Sequence, residues 1–89
     1  MADVDVSEIA EAVGESEDSI IRSGVDSYLS RELKQSHLRV NELKEKFGVD
    51  NSEELEQKIE EGVIEEHPAW EALIEWKNLE KRIQSLEQF

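Results

Sequence analysis

The feature that most constrains this chain is the stretch 17–47, which contains no proline and is predicted to be an uninterrupted helix. Within it, apolar or small residues recur at steps of 4, 3, 4, 3 and 4, the spacing of a helix face that packs against another helix. They are Leu29, Leu33, Ser36, Val40, Leu43 and Phe47. A helix of this length would extend roughly 46 Å, too far for so short a chain to cover alone. The pattern therefore predicts one long helix that needs a partner helix.

Local signals predict a short helix before the long one. Ser7 is the expected N-cap of the first helix and Gly14 its C-terminal stop, while Ser16 can cap the long helix. In residues 1–6 valine alternates with aspartate, which leaves two readings open: frayed chain, or a very short strand formed against a partner.

Similar signals predict two helices after the long one. Gly48 is placed to end the long helix in a Schellman turn. Asn51, with Glu54 three residues later, resembles a capping box that opens a short helix ended by Gly62. Pro68 then occupies the first position of a last helix that runs to about residue 86. We therefore expect one all-α domain over residues 1–89, with about four helices and a helical dimer.

The charge of the chain excludes some functions. The sequence has 23 acidic and 10 basic residues in 89, for a net charge of −13. Residues 1–18 and 49–67 each carry −7, whereas residues 19–48 carry +2. Bulk nucleic-acid binding through net charge is therefore excluded. No stretch approaches 18 consecutive apolar residues, and we expect a cytoplasmic protein.

The sequence offers little for catalysis or metal binding. It contains no cysteine, which excludes disulfides, thiolate zinc sites and cysteine nucleophiles. His37 and His67 lack metal-ligand spacing, and the glutamates at 60–66 lack the pattern of a calcium loop. We predict no catalytic residue, no metal and no cofactor.

Two sets of apolar residues are predicted to form interfaces. The dimer seam would follow the long helix through Ile21, Val25, Leu29, Leu33, Val40, Leu43 and Phe47. A partner protein would contact Leu55, Ile59, Trp70, Leu73, Ile74, Trp76, Leu79 and Ile83. Trp70 and Trp76 lie about 240° apart around a helix, so one should face the core and the other a partner, and the sequence leaves open which.

Two segments resemble a known class of proteins. The stretch SEIAEAVGESEDSIIRSGVDSYLSREL at 7–33 resembles the DNA-binding part of small prokaryotic antitoxins of the ribbon-helix-helix and VapB types. Residues 42–83 resemble the C-terminal half of small archaeal antitoxin-like proteins, through Phe47-Gly48, Glu53-Glu54-Leu55 and the sequence HPAWE at 67–71.

The resemblance implies a non-enzymatic protein that binds and neutralises a basic toxin, commonly a ribonuclease. Residues 1–33 would then dimerise and contact DNA, with Arg22 and Arg31 as candidate DNA-binding residues, and residues 34–89 would bind the toxin. Two alternatives stay open at this point. One is a small dimeric DNA-binding transcriptional regulator, and the other is a helical-bundle adaptor for protein interactions.

Overall fold

The fold is all-α, as predicted. A computed structural model describes residues 5–89, and within this range it contains four helices and no strand. Helix α1 covers Val6–Val13, α2 covers Glu17–Phe47, α3 covers Ser52–Glu60 and α4 covers Glu66–Leu86. The predicted bounds of the long helix, 17–47, are those of α2.

The first helix begins earlier than predicted. Its N-cap is Asp5 and not Ser7, because Asp5 Oδ1 accepts both the Ser7 backbone N–H at 3.0 Å and the Ser7 hydroxyl at 2.6 Å. The Ser7 hydroxyl, followed by the Glu8 backbone N–H, lowers the pKa of the Asp5 carboxyl. Val6 is already helical, and residues 1–4 of the predicted N-terminal strand lie outside the described part of the chain.

The predicted ends on either side of α2 are confirmed. The Ser19 backbone N–H donates to Ser16 Oγ at 3.1 Å, which caps the start of the helix. Gly48 has φ 64°, in the left-handed region that residues with a Cβ rarely adopt. The Val49 N–H donates to the Lys44 carbonyl at 3.1 Å, the bond expected of a Schellman turn, and Val49 folds back to a buried position.

The capping box of α3 differs from the prediction in one bond. Asn51 Oδ1 accepts the Glu54 backbone N–H at 2.7 Å, as expected. The Glu54 carboxylate, however, accepts the backbone N–H of Asp50 at 3.0 Å instead of that of Asn51. The side chain therefore reaches one residue further back and ties the loop to the first turn of α3.

Regular helical geometry in α4 begins at Pro68, where the sequence predicts it. His67 has φ −113° and ψ 124°, so the backbone bends there before the helix continues to Leu86. A residue that precedes proline avoids the helical region because of steric conflict with the proline ring.

The chain divides into two compact units, Met1–Glu32 and Leu33–Phe89. The C-terminal unit has a core built from α2, α3, α4 and the turn between α2 and α3. Its buried apolar residues are Leu43, Val49, Leu55, Ala69, Leu73 and Trp76. In the N-terminal unit, Ala10 is the one buried residue among residues 5–32. Burial therefore stabilises the two units very unequally.

Polar contacts connect the three helical segments of the C-terminal unit. The Arg39 guanidinium of α2 donates to both carboxylate oxygens of Glu75 in α4, at 2.7 and 2.9 Å. The buried Ser52 hydroxyl at the start of α3 donates to Glu80 Oε1 at 2.6 Å. These contacts fix how α4 lies against α2 and α3 without placing an unsatisfied polar group in the core.

Truncating the buried tryptophan should unfold the C-terminal unit more easily. We expect Trp76→Ala to lower the free energy of unfolding by roughly 3 to 5 kcal/mol, because it removes a large side chain from a packed core. Trp70→Ala, on the same helix but half-exposed, should lower it by less than about 1 kcal/mol. Urea denaturation followed by circular dichroism measures both, and equal losses would contradict this assignment of the core.

Gly24, inside helix α2, and Gly48, directly after it, should respond oppositely to replacement by alanine. Gly48→Ala should lower the free energy of unfolding by about 1 to 2 kcal/mol, because a residue with a Cβ is strained in the left-handed conformation. The added Cβ itself meets no neighbouring atom. Gly24→Ala, in the helix interior and equally uncrowded, should raise helix stability by up to about 1 kcal/mol. Thermal unfolding by circular dichroism compares them, and a change of the same sign at both positions would contradict this account.

Candidate functional site

The structure separates the eight residues predicted to contact a partner protein. Leu55, Leu73 and Trp76 are buried in the core of the C-terminal unit, and Ile59 and Leu79 pack against that core. Ile83 is half-buried. Trp70 and Ile74 remain exposed, at 45% and 50% of their surface. Among the predicted set, these two are the side chains available to a partner, and their role stays a prediction.

The two tryptophans of α4 lie in opposite environments. Trp76 has 1% of its surface exposed, whereas Trp70 has 45%. Because the two side chains lie about 240° apart around the helix, a helix face that buries one of them leaves the other exposed. The structure therefore shows that Trp76 is the buried tryptophan and Trp70 the exposed one, which the sequence leaves open.

The chain on either side of Trp70 is acidic. Residues 59–76 contain six glutamates and neither lysine nor arginine. Ile74 follows Trp70 by four residues, which places the two side chains beside each other on one face of α4. Glu65, Glu66 and Glu71 are exposed in the same short segment. We use the name Trp70 surface for Trp70, Ile74, Glu65, Glu66 and Glu71.

The residues predicted to form a dimer seam divide at the middle of α2. Leu43 is buried in the core, and Val40 and Phe47 pack against it. Leu29 and Leu33 are half-buried, and Ile21 and Val25 are exposed. The second half of the seam is thus covered by the chain's own α3 and α4, while the first half keeps exposed apolar side chains. The dimer itself stays a prediction.

The two candidate DNA-binding arginines are both exposed on the first half of α2. The Arg31 guanidinium lies over the Tyr28 ring, 5.8 Å from its centroid. This contact holds Arg31 near the exposed Tyr28 and does not require a nucleic acid.

Between residues 5 and 89 no group of three or more histidine, aspartate or glutamate side chains is arranged to hold a metal ion. No helix within that range is long and apolar enough to cross a membrane.

The sequence does not predict the ion pair between Arg39 and Glu75. Glu75 receives two hydrogen bonds from Arg39, and these, more than the Coulombic attraction, hold the pKa of its carboxyl below the ordinary value. The same bonds raise the pKa of Arg39. The partners lie 36 residues apart, so no local spacing announces them. Lys77 and Glu56, 3.2 Å apart, form a second bridge of this kind, between α4 and α3.

The fold defines a small all-α protein with an exposed tryptophan in an acidic segment of the chain. The chain belongs to the family described as "Uncharacterized protein MJ0235 family", which matches residues 1–89. Comparison with curated proteins gives no significant match, and neither does comparison with solved structures.

The Arg39–Glu75 pair should make stability depend on acidity. Because the pKa of Glu75 is lower in the folded than in the unfolded chain, the pair stabilises above the unfolded pKa and loses its effect as pH falls through the folded pKa. We expect Glu75→Gln to lose less stability than the wild type on acidification from about pH 6 to pH 3. Both side chains are more than one third exposed, so the difference should be modest.

Urea denaturation at several pH values measures this difference. Glu60→Gln removes a carboxylate from an exposed position on α3 and serves as the matched control. A Glu75→Gln curve parallel to that of the wild type would show that the pair does not set the acid response.

Proposed function

We propose that this protein binds a basic protein through the Trp70 surface and acts as an antitoxin-like inhibitor of that protein. The observation that carries the proposal is the exposure of Trp70 beside Ile74 in a segment without a single lysine or arginine.

The first support is energetic. The core of the C-terminal unit is complete without Trp70, since Trp76, Leu73 and Leu55 fill it. Trp70 and Ile74 therefore do not serve folding in the way the buried residues do. An exposed tryptophan next to an exposed isoleucine can contribute most of the affinity of an interface once a partner removes them from water.

The second support is the sign of the charge. Glu65, Glu66 and Glu71 surround the apolar pair along the chain, and the protein as a whole carries −13. Such a surface attracts a positively charged partner and accelerates their encounter. A lysine or arginine of that partner can lie over the Trp70 ring and pair with a neighbouring carboxylate in the same contact.

The third support is the resemblance of residues 42–83 to the C-terminal half of small antitoxin-like proteins. A ribonuclease needs a positively charged surface to hold RNA. An acidic protein with an apolar anchor can occupy that surface and exclude the RNA. The proposed activity is therefore inhibition by competition for the basic face of the enzyme.

The first experiment compares the wild type with Trp70→Ala as tagged proteins in cells of the source organism, after cross-linking. Proteins recovered with the wild type and lost with the variant are then purified and titrated against the full chain by calorimetry. We expect a basic protein that binds with one-to-one stoichiometry, and a dissociation constant raised about 30-fold or more by Trp70→Ala.

The control is Phe89→Ala, which removes another exposed aromatic side chain away from the Trp70 surface. It should leave the dissociation constant unchanged. A partner that is neutral or acidic, or one that binds Trp70→Ala as tightly as the wild type, would refute the proposal.

The inhibitory step has its own measurement. RNA cleavage by the purified partner should fall to zero at one equivalent of the wild-type chain and persist with Trp70→Ala. Tight binding without loss of cleavage would leave a partner-binding adaptor and remove the antitoxin role.

A further inference from the structure

The N-terminal unit contains an apolar helix face that its own residues do not cover. Ile21, Val25 and Tyr28 of α2 keep 52%, 51% and 48% of their surface exposed. Their spacing of four and three residues places them on one side of the helix. Because Ala10 is the one buried residue between positions 5 and 32, this unit has no core that could account for the apolar residues.

The charge of this helix segment differs from the rest of the chain. Residues 19–31 contain three charged side chains, Arg22, Asp26 and Arg31, and carry a net charge of +1, whereas the whole chain is 37% charged and carries −13. We call residues 19–31 the charge-poor segment. Centres of protein interfaces are depleted of charged residues in this way.

The low charge of this segment favours a second copy of the chain over a basic partner. A basic partner gains its attraction from carboxylates, and the charge-poor segment offers one, Asp26. Two copies of a strongly acidic chain repel each other over most of their surfaces. They can approach closely where that repulsion is weakest, and in this chain the exposed apolar face of α2 lies there.

The direction of pairing follows from the ends of the segment. Glu17 and Asp18 precede it, and Arg31 closes it. A parallel pair would bring Glu17 beside its own copy and Arg31 beside its own copy. In an antiparallel pair centred on Val25, Glu17 of one copy lies on the same flank as Arg31 of the second copy. The two residues are two positions apart, or about 3 Å along the helix axis.

We infer that the charge-poor segment binds the same segment of a second copy, antiparallel and centred on Val25. In this register Ile21 lies opposite Leu29 of the second copy, and both belong to the apolar side of α2. Each copy carries −13, so salt screens the overall repulsion between the copies and the dimer tightens as ionic strength rises. The face is short, and the dissociation constant should be on the order of micromolar.

The test is sedimentation equilibrium of the full chain from about 1 µM to 1 mM protein. The wild type should pass from monomer to dimer in this range, with a lower dissociation constant at high salt. Val25→Glu should remain monomeric up to the highest concentration, because it places two carboxylates at the centre of the pair. Ser27→Glu adds the same charge about 200° around the helix and should dimerise like the wild type.

Circular dichroism establishes that both variants keep the helix content of the wild type. A wild type that is monomeric throughout the range overturns the inference. Dimers of equal strength in Val25→Glu and Ser27→Glu also overturn it, because the interface would then lie elsewhere.

A charge exchange tests the antiparallel register. Glu17→Arg and Arg31→Glu should each raise the dissociation constant about tenfold, since each turns two attractions into two repulsions. The double variant, or an equimolar mixture of the two single variants, should return to the wild-type value. Single variants that dimerise like the wild type would overturn the antiparallel arrangement.

The inference is separable from the proposed function. Trp70→Ala should leave the dimer of the isolated chain unchanged. At a protein concentration at which the wild type is monomeric, Val25→Glu should bind the basic partner as the wild type does. If Val25→Glu abolishes binding of that partner while the wild type is monomeric, the charge-poor segment belongs to the partner and the second copy is excluded.

Discussion

The packing of α3 and α4 against the second half of α2 forms the buried core of the C-terminal unit and leaves apolar side chains of the first half of α2 exposed. Trp76, Leu73 and Leu43 are almost fully buried in that core, and the double hydrogen bond from Arg39 to Glu75 fixes the contact between α2 and α4. This arrangement covers half of a continuous apolar seam. The other half, in the N-terminal unit, gains no comparable core. One helix therefore contributes to a folded interior along one part and presents apolar side chains to solvent along another.

Most of the helix ends could be predicted because the signals that end helices are local. The Ser16 hydroxyl, the left-handed Gly48 and Pro68 act on backbone groups within a few residues, so a single sequence contains what is needed. The prediction failed at α1, where Asp5 and Ser7 both offer an oxygen to the same turn. The carboxylate accepts two hydrogen bonds from Ser7 and is the better cap.

The site was less accessible to sequence analysis because periodicity shows that a face is apolar and not what covers it. Val25 and Leu43 belong to the same seam, yet one is exposed and the other is buried by helices further along the chain. The angle between Trp70 and Trp76 predicts that they diverge and not which of them enters the core. Contacts between distant residues, such as Arg39 with Glu75, have no local signature at all.

The uneven distribution of charge connects the two proposals. A net charge of −13 attracts a basic protein to the Trp70 surface and at the same time opposes the approach of a second copy to the charge-poor segment. A bound basic partner neutralises part of that charge and so reduces the repulsion between copies. Because such coupling is reciprocal, dimer formation should also strengthen partner binding, and both effects should fade as salt screens the charges. The acidity that favours one interface thus regulates the other.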